Sequence, residues 1–403
     1  MPLSRLLEDA IHHASTGVPV SATLGNNAAG KLDELKEQPG FASAYLNDGQ
    51  PVKIGQLLKQ QRIANTLQQL VDRGLEDFYL GELAESMAAE LEAAGSPVRL
   101  DDLRQYQALE VKPLALQVNG HQVFNMPPPT QGLASLMLLG IFSRLNIESV
   151  DDYAYVHALV ESTKQAFRIR DSEVSDPQYM RRPAEQFLAS AELDQLASGV
   201  NMKKAQPWPE ASVGGDTVWL GAIDSEGRAV SFIQSIYWEF GSGVILPESG
   251  ITWQNRGTSF SLDSSHHNCL KPGRRPFHTI QPALAHLSDG RVMPYGTMGG
   301  EGQPQTQAMV FSRYLSGQHD LQQSITAPRW LLGKTWGSDV TNLRIENRFD
   351  PQVYEQLLAA GHDLEIIGDF DEVMGHAGAL VLHPDGLIEG ASDPRSDGAA
   401  CGV

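Results

Sequence analysis

Apolar residues in the first half of the chain recur at three- and four-residue intervals. The opening stretch MPLSRLLEDAIHHAS reads as an amphipathic helix, Leu57 to Leu70 as a second, and Leu83, Met87 and Leu91 as the buried stripe of a third. Gly74 and Gly95 stand where helix stop signals belong. Asn125-Met-Pro-Pro-Pro-Thr-Gln-Gly132 fits neither helix nor central strand, so it predicts a fixed extended loop ahead of an apolar helix beginning near Leu133. A long helix is expected from Asp151 to Arg170.

From Val200 to Asp216 the pattern loosens into Lys, Gln, Pro, Ala and Ser and ends in Gly214-Gly215, the composition of an exposed, mobile connection. The texture then changes. Thr217 to Asp224 and Arg228 to Tyr237 are rich in Val, Ile, Phe and Trp and flank Ser-Glu-Gly, which predicts a hairpin. Further strands are expected at 281–287, 291–295, 343–346, 377–383 and 387–391, with helices at 305–315 and 351–360. Helices gathered early and strands gathered late predict layered α and β segments, not a doubly wound parallel sheet.

With 403 residues, 41% hydrophobic and 20% charged, the chain can bury a full core. A net charge of -19 without a compensating Lys or Arg run argues against nucleic acid as a partner. Cys269 and Cys401 lie far apart with no CxxC or His-rich companion, so neither a disulfide framework nor a zinc site is expected. The first helix carries Glu8, Asp9 and two histidines, unlike a signal peptide, and no stretch has the roughly 20 apolar residues of a membrane span. A cytoplasmic protein is expected.

Two places could carry chemistry. A threonine at a new chain terminus brings its own base, an α-amine of pKa about 7.7–8.0, and Thr217 opens a strand directly after a Gly-Gly-Asp linker. Taken alone, this is equally a β-branched residue starting a strand. Gly296-Thr-Met-Gly-Gly-Glu-Gly302 lies between an expected strand and helix, where backbone amides can face an anionic oxygen. It lacks the spacing of a nucleotide loop, and a plain loop remains open. His12-His13 and His266-His267 lack HExxH spacing, and His278 and His376 stand singly; all read as surface or satisfied histidines.

Thr217-Val-Trp-Leu-Gly-Ala-Ile-Asp-Ser-Glu-Gly-Arg-Ala-Val-Ser231 resembles the start of the small subunit in γ-glutamyltransferases. In the same order follow Phe240-Gly-Ser-Gly243, Glu248-Ser-Gly-Ile251, Arg275-Pro276 with Pro282, Gly299-Gly300, Ala327-Pro-Arg329 and Gly390-Ala-Ser-Asp-Pro-Arg-Ser396. Upstream, Pro127-Pro-Pro129 with Gly132, and the Glu161 to Asp176 helix ending in Asp-Pro, resemble the later half of the large subunit. The resemblance implies an α+β fold, the four-layer αββα sandwich of N-terminal-nucleophile hydrolases. Residues 1–216 would be the later part of the large subunit and 217–403 the small subunit. It implies self-cleavage between Asp216 and Thr217, Thr217 as nucleophile, Ser235 as its assisting hydroxyl, and Gly299 and Gly300 as the oxyanion hole. It calls for no cofactor and no metal. It makes the two pieces of one precursor each other's partners, with a dimer of such heterodimers as a further expectation. Family chains carry a substantial segment before the counterpart of Pro2, so an N-terminally incomplete sandwich is expected.

The departures concern substrate. Tyr237 stands where the family has Asn, Arg256 where it has Gln, Ser259 where it has the ammonium-binding Asp, and His278-Thr279 where it has two serines. Losing an anion and gaining Arg256 favours a carboxylate on the substrate over an ammonium. The wording Gly215-Asp-Thr-Val-Trp-Leu-Gly, Ser-Phe-Ile-Gln-Ser-Ile-Tyr and Gly-Gln-Pro-Gln-Thr-Gln is similar to the oxamate amidohydrolase branch, within purine-ring catabolism. A small anionic amide is therefore expected, with a γ-glutamyltransferase or glutathione hydrolase, and an inactive binding homologue, as alternatives.

Overall fold

The computed structural model describes residues 1–208, 216–333 and 341–402. Packing divides the chain into two compact units, Met1–Glu110 with Glu239–Asn255, and Val111–Trp238 with Arg256–Val403. Residues 209–215, including the Gly214-Gly215 linker expected to be mobile, lie outside the described residues.

The first unit is built on three amphipathic helices, α1 (Leu3–Thr16), α2 (Gln61–Arg73) and α3 (Glu82–Ala93). Leu70, Leu83, Met87, Leu91 and Leu246 form one of its cores, as the three- and four-residue spacing requires. Gly74 ends α2 with φ +92°. The helix expected from Leu57 starts later: Leu57–Leu58 pair antiparallel with Val18–Pro19, and Gln60 leaves helical geometry before α2 begins at Gln61. Apolar spacing cannot separate a two-residue bridge from a first helical turn.

The second unit holds the hairpin β1 (Leu114–Val118) and β2 (His121–Asn125), then α4 (Gly132–Ser143) and α5 (Tyr153–Glu173). A second hairpin follows, β3 (Asp216–Ile223) and β4 (Ala229–Tyr237). Next come β5 (Ala283–His286), β6 (Val292–Thr297), α6 (Gln303–Leu315), β7 (Trp330–Leu332), β8 (Leu343–Glu346), α7 (Pro351–Ala359), β9 (Leu364–Ile367), β10 (Ala377–Leu382) and β11 (Ile388–Ser392).

The central sheet is antiparallel throughout, in the order β11-β10-β6-β5-β2-β1. Strands are thus not confined to the later half. The β1–β2 hairpin was missing from the sequence expectation, although Asn119 and Gly120, at φ +50° and +85°, supply a turn of the kind that joins two-residue hairpins. Helix α4 is apolar on every side and buried from Gly132 through Ile141, packed against β1, β2, α5 and α6. The small sheet β7-β8-β9 pairs β8 and β9 in parallel.

The β3–β4 hairpin packs on β6 and β10, and glycines make room for it. A Cβ at Gly296 would lie 2.1 Å from Trp219 Cδ1, and one at Gly378 2.5 Å from Cζ3. Trp219 Nε1 donates to Ser231 Oγ across the hairpin at 2.9 Å. Burial alternates along β3: Trp219 faces inward, while Val218 and Leu220 are 48% and 47% exposed. Helices, central sheet and hairpin therefore form successive layers within this unit, an α+β arrangement as expected.

Motifs far apart in sequence meet in a buried ionic network. Arg329 Nη2 lies 2.6 Å from Asp393 Oδ2, Arg395 Nη1 3.0 Å from Asp393 Oδ1, and Arg395 Nη2 2.6 Å from Glu346 Oε2, with all four side chains fully buried. Ala327-Pro-Arg329 and Asp393-Pro-Arg395 are thus parts of the scaffold that clamp the last strand. Among the described residues, no helix is long and apolar enough to cross a membrane.

Candidate active site

Strand pairing sets Thr217 and Ser235 together. Asp216 opposes Tyr237 and Val218 opposes Gln234, so Ser235 and Ile236 share the place facing Thr217. Such a bulge bends the strand and re-aims a side chain. Here Thr217 Oγ1 donates to Ser235 Oγ at 3.1 Å, and the Tyr237 amide donates to the same oxygen at 2.9 Å. Tyr237 holds φ +81°, a conformation that costs a non-glycine residue on the order of 1–3 kcal/mol and persists only when its surroundings fix it.

Those surroundings include a cation. The Arg256 guanidinium carbon sits 3.3 Å from the centre of the Tyr237 ring, and Nη1 donates to Thr279 Oγ1 at 3.2 Å. Arg256 is 6% exposed. Burial raises the Tyr237 hydroxyl to about 12, with the Glu301 charge adding to the rise and Arg256 opposing it. Burial also pulls the Arg256 guanidinium below its ordinary value, while Tyr237 and Glu301 support its charge.

Contacts continue from Thr279 to the paired glycines. Gln131, wholly buried, donates through Nε2 to both Thr279 O and Gly300 O at 2.7 Å, and its Oε1 accepts from Arg170 Nη1 at 3.2 Å. Gly299 and Gly300 adopt φ +123° and +52°, backbone conformations that residues with a side chain rarely hold. Both positions thus favour glycine. One continuous set of contacts thereby runs from Thr217 through Ser235, Tyr237, Arg256, Thr279 and Gln131 to Gly300.

The other expected residues fall around this set. Ser259 Oγ lies 3.0 Å from Arg256 O and 2.9 Å from Phe277 O, so its hydroxyl is engaged by backbone carbonyls. His278 pairs through its backbone with Pro129 and Gln131, and Nδ1 accepts from the Ile280 amide. Burial, reinforced by Arg256, lowers the His278 imidazole to about 3 and leaves it neutral. Asp216 begins β3 directly before Thr217. Thr217, Met298 and His376 line a common cavity of about 780 Å³ along β3, β10 and β11.

Sequence reasoning missed Gln131, Arg170 and Glu301. Gln131 lies inside the Pro-Pro-Pro-Thr-Gln-Gly loop already singled out, so its motif was visible though its partners were not. His157, Glu161 and His362 could present ligand atoms within 4.8 Å of one another. Each is already engaged: His157 Nδ1 meets His362 Nε2 at 2.8 Å, His157 Nε2 meets Asn201 O, and Glu161 Oε1 accepts from Lys164 Nζ at 2.7 Å. That cluster reads as a hydrogen-bonded core relay.

A family model described as Gamma-glutamyltranspeptidase matches residues 1–403. The chain is 50% identical to the oxamate amidohydrolase proenzyme of Klebsiella pneumoniae, over all of this chain and 76% of that protein. It is 37% identical to the glutathione hydrolase-like YwrD proenzyme of Bacillus subtilis, over all of this chain and 77% of that protein. Among solved structures, a cephalosporin acylase from Bacillus halodurans superposes with a TM-score of 0.90 at 30% identity, over 99% of this chain and 74% of that one.

Proposed function

The chain belongs to the gamma-glutamyltranspeptidase family and is a hydrolase of amide bonds with the N-terminal-nucleophile fold; on that premise we propose that it cleaves itself between Asp216 and Thr217 and then hydrolyses a small anionic amide such as oxamate to oxalate and ammonia. The observation that carries this reading is the Thr217–Ser235 contact at 3.1 Å. Cleavage frees the Thr217 α-amine as a base beside its own hydroxyl. The hydroxyl oxygen attacks the amide carbon, the amine takes its proton and passes it to the departing nitrogen, and water resolves the acyl-enzyme. The backbone at Gly299 and Gly300, held by Gln131, receives the negative oxygen of the tetrahedral intermediate.

Arg256 holds the substrate carboxylate, with Tyr237, His278 and Thr279 around it. Ser259, where the resemblance places an ammonium-binding Asp, is uncharged and has its hydroxyl engaged by backbone carbonyls, which disfavours the α-ammonium of glutathione. The two pieces of the precursor act as one enzyme, in keeping with the proenzyme names of the relatives, and a cytoplasmic setting completes the reading.

Mass spectrometry and an ammonia assay test it together. The purified protein should contain a piece beginning at Thr217 and release ammonia from oxamate, and Thr217→Ala should do neither. Full amide hydrolysis by an uncut chain would refute the nucleophile assignment.

A further inference from the structure

One face of α5 carries polar side chains that the chemistry above does not use. Tyr153, His157, Glu161, Lys164, Gln165 and Arg168 share that face at steps of three and four residues, and His157, Glu161 and Lys164 are buried. Charged groups are rarely buried without close partners, because leaving water is costly. Here the partner is a single irregular segment, residues 199–208, which follows the helix Ser190–Ser198.

Gln206 is the centre of the grip and is held at every polar group. Its amide donates to Glu161 Oε2 at 3.2 Å, and its carbonyl accepts from Lys164 Nζ at 2.7 Å. Its side-chain Oε1 accepts from Gln165 Nε2 at 3.0 Å and from Arg168 Nη1 at 2.7 Å, while Nε2 donates to Gly199 O at 2.6 Å. Around it, His157 Nε2 donates to Asn201 O at 2.8 Å, the Tyr153 hydroxyl to Met202 O at 3.3 Å and Arg168 Nη2 to Pro207 O at 2.9 Å. The Ala205 amide donates to Ala360 O at 2.8 Å, and the Trp208 ring lies 6.1 Å from that of Phe167. Side chains of one helix thus satisfy the backbone of a stretch that has no helix or strand of its own. That stretch is the approach to the cleavage point, since only residues 209–215 stand between Trp208 and Asp216.

We propose that this grip is an anchor for maturation and Gln206 a positioning residue for self-cleavage: by fixing the chain up to Trp208, α5 shortens the path to the Asp216–Thr217 bond and raises the rate at which the Thr217 hydroxyl meets the preceding carbonyl. The proposal rests on the self-cleavage reading above. In that step Thr217 Oγ1 bonds to the Asp216 carbonyl carbon, and the C–N bond between the two residues breaks as the hydroxyl proton passes to the nitrogen. Water then splits the resulting ester into the Asp216 carboxylic acid and the free Thr217 hydroxyl. Restraint supplied beforehand by the fold is entropy that the reaction need not lose, and its size grows with the logarithm of the length restrained. Amide turnover by the cut enzyme no longer involves that bond, so it should not depend on the grip.

Precursor pulse-labelled in cell-free synthesis and followed on denaturing gels measures the cleavage rate directly. Gln206→Ala should slow it about threefold, the effect of roughly doubling the unrestrained length before Asp216. Once fully cut, the same variant should hydrolyse oxamate with the wild-type kcat and KM, a split that general damage to the fold would not give. Inserting about 40 Gly and Ser residues after Trp208 leaves the grip intact and lengthens the path. It should slow cleavage roughly tenfold, and on that background Gln206→Ala should have almost no further effect. If Gln206→Ala does not fold, the insertion decides alone. A wild-type cleavage rate in either variant, an undiminished effect of Gln206→Ala beside the insertion, or lower turnover by the fully cut Gln206→Ala protein would overturn the anchor and leave the Thr217 reading standing. A wild-type precursor that never cuts would overturn the Thr217 reading, and the anchor with it.

Discussion

Ser235 Oγ accepts from Thr217 Oγ1 because two residues of β4 share the place opposite one residue of β3, and the bulge turns the Ser235 side chain toward its partner. The Tyr237 amide, brought round by a positive φ, fixes the same oxygen from the other side. Ser235→Ala removes the acceptor without changing the strand. It should slow both self-cleavage and amide turnover, each about 10- to 100-fold, followed by gel densitometry and ammonia release. Unchanged rates for both would remove Ser235 from the mechanism.

Among the described residues Arg256 is the cation stacked on Tyr237, so charge reversal there should discriminate between substrates. Arg256→Glu should raise KM for oxamate at least about tenfold more than KM for a neutral amide. Equal losses would show that the side chain serves packing instead of charge recognition.

Trp219 reaches the central sheet only because positions 296 and 378 lack side chains. Gly296→Ala would put a methyl group 2.1 Å from Trp219 Cδ1 and should destabilise the protein by about 1–3 kcal/mol or more. Scanning calorimetry should show a lower melting temperature, partly restored by pairing the change with Trp219→Phe. No change in melting would mean that the hairpin can slide on the sheet.

Burial alone would raise the Asp393 carboxyl, but Arg329 and Arg395, with the amides of Ala377 and Arg395, outweigh it and hold it below its ordinary value. A depressed folded-state pKa contributes stability above the unfolded value of about 3.9 and loses it as pH falls through the folded value. Acid unfolding below about pH 4 should therefore flatten in Asp393→Asn. At neutral pH the same variant should be destabilised by about 3–5 kcal/mol, because two buried guanidiniums lose a shared anion. Chemical denaturation at pH 7 and pH 3.5 measures both.

What the sequence made legible was local. The β3–β4 hairpin followed from alternating residues around Ser-Glu-Gly, and α4 and α5 from long apolar spacing, because neighbours a few positions apart decide those elements. The β1–β2 hairpin was equally local, and the Asn119-Gly120 signal simply went unread. Thr217, Ser235, Tyr237, Arg256 and Thr279, singled out from the resemblance, are brought into contact by the fold. The role of Gln131 could not be found that way. Gln131 acts by joining Thr279 to Gly300 across more than 140 residues of chain.

The central sheet draws strands from both sides of residue 216, with β2 paired to β5 along Gln122–Phe124 and Leu284–His286. Severing the backbone there would leave two polypeptides woven through one sheet with no covalent tie. Unfolding the cut protein would then release two molecules, and recovering it would become a bimolecular event that dilution opposes. A melted, matured sample should fail to regain activity at low concentration where its uncut precursor succeeds.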